Sequence, residues 1–311
     1  MSDLGLEAEE ARQNVLKPSF VSIIKVGFRL FIHSGKVFLP LLIKLIVFFT
    51  AVNILHDFLL RLSIHSPSVS STFSVIIAFS NVFCLILYFL LMILYYPIVQ
   101  RYMITGEKLR IKFIFPIIGR REIKYFLCIF YFILITVVMI VITVFPVYLI
   151  FGFFPVLPEL FEVIIYYAIA LIITLFINLR ILLGPIYVLD NAVISVHQAI
   201  KASYKVTKGS IILLFFVLVL VGILETLINL TLPGTQLFST FSMDTMLYEF
   251  NITNKSIIEH RYTLRWNIII IFIIIQYYLK TLVACSFCSS IYLHYRQKLT
   301  EITQEAPVSS S

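Results

Sequence analysis

Charge is what this sequence is poorest in. Asp, Glu, Lys and Arg make up 13% of its 311 residues, and 60% are hydrophobic. A soluble globular chain carries about 25% charged and about 45–50% apolar residues. A fold with its surface in water is therefore excluded, and the solvent has to be lipid. Cysteine is scarce too. Cys84, Cys128, Cys285 and Cys288 all sit inside apolar runs, where a free thiol packs as a small hydrophobe. No disulfide framework follows. Cys285-Ser-Phe-Cys288 lacks the partner set of a redox or metal motif. The histidines His33, His56, His65, His197, His260 and His294 are scattered along the chain. There is no His/Asp/Glu cluster with metal spacing, no Gly-rich phosphate loop and no Ser/His/Asp set that could meet at one interface. The expectation is no catalytic residue, no metal, no cofactor and no enzymatic activity. The start of the chain carries Asp3, Glu7, Glu9 and Glu10, not the basic residues and early apolar core of a cleavable signal peptide.

Apolar runs are what the chain has in quantity. Six of them cover 37–59, 73–99, 125–151, 163–189, 211–232 and 267–293. Each reaches the roughly 20 residues a helix needs to span a bilayer. Backbone groups in lipid must be paired within the segment, so the runs are helices. The expected fold is all-α, a six-span domain over 19–294 between cytoplasmic tails at 1–18 and 295–311. Ahead of the first span, Phe20, Ile23, Ile24, Gly27, Leu30 and Phe31 recur at helical spacing opposite Lys25 and Arg29. This pattern predicts a basic interfacial helix ended by Ser34-Gly35.

The net charge is +8. Seventeen of the 24 Lys and Arg residues fall in the N-terminal segment, the second and fourth connections and the C-terminal tail. Four, Arg61, Lys255, Arg261 and Arg265, fall in the remaining connections. Cytoplasmic loops carry the excess of Lys and Arg, so both termini are expected in the cytoplasm. The basic balance then reports an anionic leaflet, not nucleic acid. Of the outer connections, 152–162 is short and holds Pro155 and Pro158. The longest, 233–266, holds the sequons Asn251-Ile-Thr and Asn254-Lys-Ser and reads as a connector, with a lid or partner-binding loop as the alternative.

The stretch 176–218 organises the rest. An apolar run ends at Gly184-Pro185, because proline removes a donor and disfavours helix before it. Asp190 or Asn191 is placed to cap a new helix, and Gly209 to end it. Between them, Val193, Val196, Ile200, Tyr204 and Thr207 make one stripe, and Gln198, Lys201, Lys205 and Lys208 another. The product is a basic helix lying flat on the inner face. It is either a topogenic charge cluster or a docking face for anionic headgroups or a partner. Ile24-Lys25-Val-Gly-Phe28-Arg29-Leu30 is similar to Ile200-Lys201-Ala-Ser-Tyr204-Lys205-Val206, as a duplicated unit or as ordinary inner-side entry into a span. Arg180, Pro185-Ile and Ala199-Ile-Lys201-Ala-Ser203-Tyr204-Lys-Val-Thr207-Lys208-Gly209 together resemble the signature of YciC-like bacterial inner-membrane proteins. They also resemble the membrane domain found beside some glycerophosphodiester phosphodiesterases. The match covers about 30 residues, and the aromatic is Tyr204 where the family often has Trp. The resemblance implies an integral inner-membrane protein and brings no phosphodiesterase, whose soluble domain is absent.

Ionisable residues inside spans mark functional sites by default. Lys44 and Arg180 fall on the inner half of their spans, where long side chains snorkel or grip a phosphate between helices. Glu225 and Lys280 are intramembrane charge-pair candidates whose relative depth the sequence leaves open. Asn178, Asn229 and Gln276 read as glue between helices. The function expected is a non-enzymatic envelope or lipid-associated role, with Lys44, Arg180, Lys201, Lys205 and Lys208 as anionic-lipid candidates and membrane lipids as partners. A small-solute or lipid transporter is the alternative.

Overall fold

The computed structural model describes residues 19–65, 86–87, 90–91, 93–107, 111–112, 114–153, 159–232 and 255–304. Almost all of them are helical. The first helix, α1, runs unbroken over Phe20–His65. Ser19 caps it, its hydroxyl accepting from Ser22 N at 3.1 Å. The interfacial helix expected to stop at Ser34-Gly35 does not stop. In lipid a break would leave carbonyls with no partner, and Phe38, Leu42 and Leu45 continue the buried face beyond it. Even Pro40 lies inside the helix.

Residues 93–105 form α2. A turn follows through Gly106, whose φ of 66° favours glycine. Two short antiparallel strands, Ile111–Lys112 (β1) and Phe115–Pro116 (β2), then make a hairpin, with Ile111 opposite Pro116. Its tip residue Ile114 is fully buried, and the Ile114 carbonyl accepts from the Tyr95 hydroxyl. Phe115, Ile117 and Ile118 are exposed. The connection read as a basic loop thus contains an apolar hairpin tucked against α2.

The remaining helices are α3 (Arg120–Phe153), α4 (Glu159–Ile181), α5 (Leu183–Asp190), α6 (Val196–Val206), α7 (Ile211–Thr231) and α8 (Lys255–Gln304). A 3-10 turn, Thr207–Gly209, joins α6 to α7. Among the described residues, five segments are long and apolar enough to cross a membrane: Phe20–Val52, Arg120–Pro146, Ile164–Asp190, Ile211–Thr231 and Ile268–Gln304. The expected second span, 73–99, lies largely outside the described residues, as do the tail 1–18, residues 305–311 and most of the 233–266 connection. The C-terminal segment from 295 continues α8 as far as Gln304, with Tyr295 and Leu299 in the core.

The longest seam is the antiparallel pairing of α1 with α8. Gly27 seats the Phe287 ring so closely that a Cβ there would lie 2.7 Å from Phe287 Cδ1. Ser290 Oγ donates to the Ile23 carbonyl at 2.6 Å, and the Tyr278 hydroxyl donates to that of Gly35 at 3.1 Å. The main core gathers at the end of the bundle holding α5, α6 and the last turns of α8. Away from it α3, α4 and α7 expose apolar residues such as Ile142, Leu171 and Leu230, the surface expected against acyl chains.

Candidate functional site

The basic end of the bundle is built around a break between α4 and α5 at Leu182. Proline at 185 has no N–H to give to the turn before it. Ser203 on α6 repairs the break, donating to the Arg180 carbonyl at 2.9 Å and accepting from Leu183 N at 3.2 Å. Thr207 Oγ1 adds a second donor to the same carbonyl at 3.1 Å. Gly184 lets α6 approach, since a Cβ there would sit 3.4 Å from Ile200 Cα. The Arg180 side chain closes the bracket. Its guanidinium carbon lies 5.2 Å from the Phe176 ring centroid and 4.8 Å from that of Tyr204. Nη1 donates to the Tyr204 carbonyl at 3.4 Å, while Nε is buried without a partner. Stacking of this kind suits the weakly hydrated guanidinium. Arg180 is thus 8% exposed and enclosed by rings; it does not snorkel. The residues that carry the family resemblance are largely the residues of this bracket.

The capping of α6 differs from expectation. Ser195 is its N-cap, in a capping box with Gln198. Asn191 instead accepts from Val193 N. Asp190 holds Tyr292 Oη at 2.6 Å and Arg296 Nη2 at 2.5 Å, which latches the last turns of α8 to α5. Gly209 lies in the 3-10 turn, and Gly106 is the single positive-φ glycine among the described residues. The expected apolar stripe also shifts. Ala199, Ile200, Ala202, Ser203 and Val206 are buried, whereas Val193 is 92% exposed and Tyr204 half-exposed.

The cations at this end fall into two groups. Arg101 donates to Glu122 Oε1 at 2.7 Å and also binds Glu107; Arg121 reaches Glu107 Oε1 at 2.9 Å. Glu122 in turn accepts from Gly119 N, which fixes the entry to α3. Burial pushes the Glu107 carboxyl up, but the Arg101 and Arg121 guanidiniums outweigh it and hold the group below the usual carboxylate range. Lys124 is capped by the carbonyls of Ala192 and Ile194 at 2.6 and 2.9 Å. These cations are structural. Lys201, Lys205 and Lys208 are not: the first two are exposed on α6 and the third on the 3-10 turn that follows it, and none has an acidic or carbonyl partner among the described residues. Sequence reasoning missed the ion network by counting only Lys and Arg in the second connection. Glu107 and Glu122 were the signal.

Lys44 does not join Arg180. From Phe20 to Lys44, α1 rises about 36 Å, and Phe20 packs edge-on against Phe216 near the start of α7. The neighbours of Lys44 on α1, Leu42 and Leu45, belong with Ile270, Ile273 and Ile274 of α8. Lys44 is exposed at that far level, so the shared layer expected for the two cations is corrected. Glu225 and Lys280 do come together in depth. Asn229 Oδ1 accepts from Gln276 Nε2 at 2.6 Å and fixes the α7–α8 register. One turn nearer the basic end, the same register sets Glu225 opposite Lys280.

Among the described residues no three His, Cys, Asp or Glu side chains converge as metal ligands. Cys128, Cys285 and Cys288 are free and buried. Fold and site together define an all-α polytopic membrane protein with an amphipathic, lysine-faced helix docked at one end. Comparison with family models, with curated proteins and with solved structures finds no match to this chain.

Proposed function

We propose that this protein is a non-enzymatic, lipid-associated component of a bacterial inner membrane, with six spans and both termini in the cytoplasm. The YciC-like resemblance and the Lys and Arg asymmetry of the connections support that placement. The observation that carries the lipid role is the sorting of charge at the basic end. Arg101, Arg121, Lys124 and Arg296 are spent on protein partners. Lys201 and Lys205 on α6, and Lys208 on the turn after it, are exposed, while the other face of α6 is locked into the core. Free ammonium groups at an interface attract anionic headgroups, each worth about 1 kcal/mol near the surface. Arg180 supports the platform from beneath, holding Tyr204 and the α4–α5 break.

The test is native mass spectrometry of protein released from mixed phosphatidylglycerol and phosphatidylcholine. Wild type retains phosphatidylglycerol in preference, and a Lys201→Gln, Lys205→Gln, Lys208→Gln variant loses the preference while keeping its melting temperature. Equal phosphatidylglycerol retention in both proteins would refute the reading. Arg180→Gln is expected to lower the melting temperature first, since it empties an aromatic sandwich.

A further inference from the structure

The α7–α8 seam holds charges that the lipid reading does not use. Asn229 and Gln276 are satisfied by each other and serve to lock the register. Glu225 and Lys280, one turn along, are both half-buried. Glu225 lies about 9 Å in from the end of α7 at Thr231. The register fixed by Asn229 and Gln276 sets Lys280 opposite Glu225 across the seam. Yet the two make no ion pair within 4.0 Å. Lys280 Nζ instead rests 5.3 Å from the Tyr277 ring centroid. Beside them, Gly222 shares the α7 stripe of Glu225 and Asn229. Gly222 is exposed on the surface of α7, and a Cβ there would meet no atom within 4 Å among the described residues. Two opposite charges are thus matched in depth, unpaired with each other, and open to the outside of the bundle along the exposed Gly222 side of α7.

From this we infer that the seam is a binding site for a small zwitterion, whose ammonium pairs with Glu225 and whose carboxylate or phosphate pairs with Lys280. The reason is electrostatic. Isolated charges in an apolar site are expensive, and a site that holds one of each sign is neutral only as a pair. A singly charged ligand would satisfy one group, leave the other unpaired, and bury net charge. A zwitterion laid antiparallel to the Glu225–Lys280 dipole neutralises both. The ligand is either a free amino acid or the ethanolamine phosphate of a lipid headgroup; both present the same two charges.

The experiment is thermal unfolding of the full-length protein in phosphatidylcholine nanodiscs. The probes are glycine, β-alanine, 4-aminobutyrate and phosphoethanolamine, with ethanolamine and acetate as singly charged controls. At least one zwitterion is expected to raise the melting temperature, and neither control should. Glu225→Gln and Lys280→Met should each weaken the effect by about tenfold or more. The double variant, which leaves no lone buried charge, should fold and show none. If nanodiscs containing phosphatidylethanolamine abolish the response to the soluble zwitterions, the headgroup is the occupant; if they leave it, the free solute is. The inference is overturned if no zwitterion shifts the transition, as for a pair bridged only by water. It is equally overturned if the controls shift it as much, or if the response survives in the double variant.

Discussion

Gly27 decides how near α1 and α8 can come. The Phe287 ring lies where a side chain at 27 would begin, and Phe287 itself is 1% exposed, so neither partner can yield cheaply. Overpacking of this kind costs about 1–3 kcal/mol. Gly27→Ala should lower the melting temperature in detergent, and adding Phe287→Leu should recover part of the loss. Glu122 is the second residue with a defined consequence. It is 2% exposed and faces the nearly buried Arg101. Glu122→Ala leaves that guanidinium with only Glu107, and breaking a buried pair from one side costs about 3–5 kcal/mol. Loss of folded protein on size exclusion checks it. Neither effect was legible in the sequence. Gly27 stood there as one member of an apolar stripe, and its closeness to a ring 260 positions away is a tertiary fact. Arg180 was legible as a charge in a span, but its enclosure by Phe176 and Tyr204 depends on how α6 folds back.

At the scale of elements, the bracket joining α4, α5 and α6 replaces backbone pairing with side-chain hydroxyls. Ser203→Ala removes both a donor to the Arg180 carbonyl and the acceptor for Leu183 N. A buried amide left unpaired costs about 1–3 kcal/mol. The expected readout is faster amide exchange at Leu183, with the rest of the bundle unchanged. Helices of this kind announce themselves through apolar length, so the five described spanning segments were readable from composition. Their ends were not. Lipid overrides a Ser-Gly stop signal in α1, because an interrupted helix there has no water to satisfy it. The cap of α6 fell to Ser195 because α5 runs on through Asp190 and α6 starts only at Val196, and Asp190 is engaged by Tyr292 and Arg296 instead. Propensity at single residues does not foresee where one helix hands over to the next.

For the whole molecule, the basic end behaves as one ionic unit. The Glu107 carboxyl is held below its ordinary value of 4.5 by Arg101 and Arg121. A carboxyl depressed in the folded state contributes stability above its unfolded pKa and loses it as pH falls through the folded one. The melting temperature should therefore be level above about pH 4.5 and decline below it, and Glu107→Gln should be less stable at neutral pH with a shallower acid decline. Thermal unfolding between pH 3 and 7 checks both. The pairing of α1 with α8 has a further consequence, one of timing. Of the described elements, α1 leaves the ribosome first and α8 last. Until α8 arrives, the seat at Gly27 and the Ile23 carbonyl face lipid or a chaperone. The described elements between them are synthesised before the first helix has met its main neighbour, so this seam can close only after they are made.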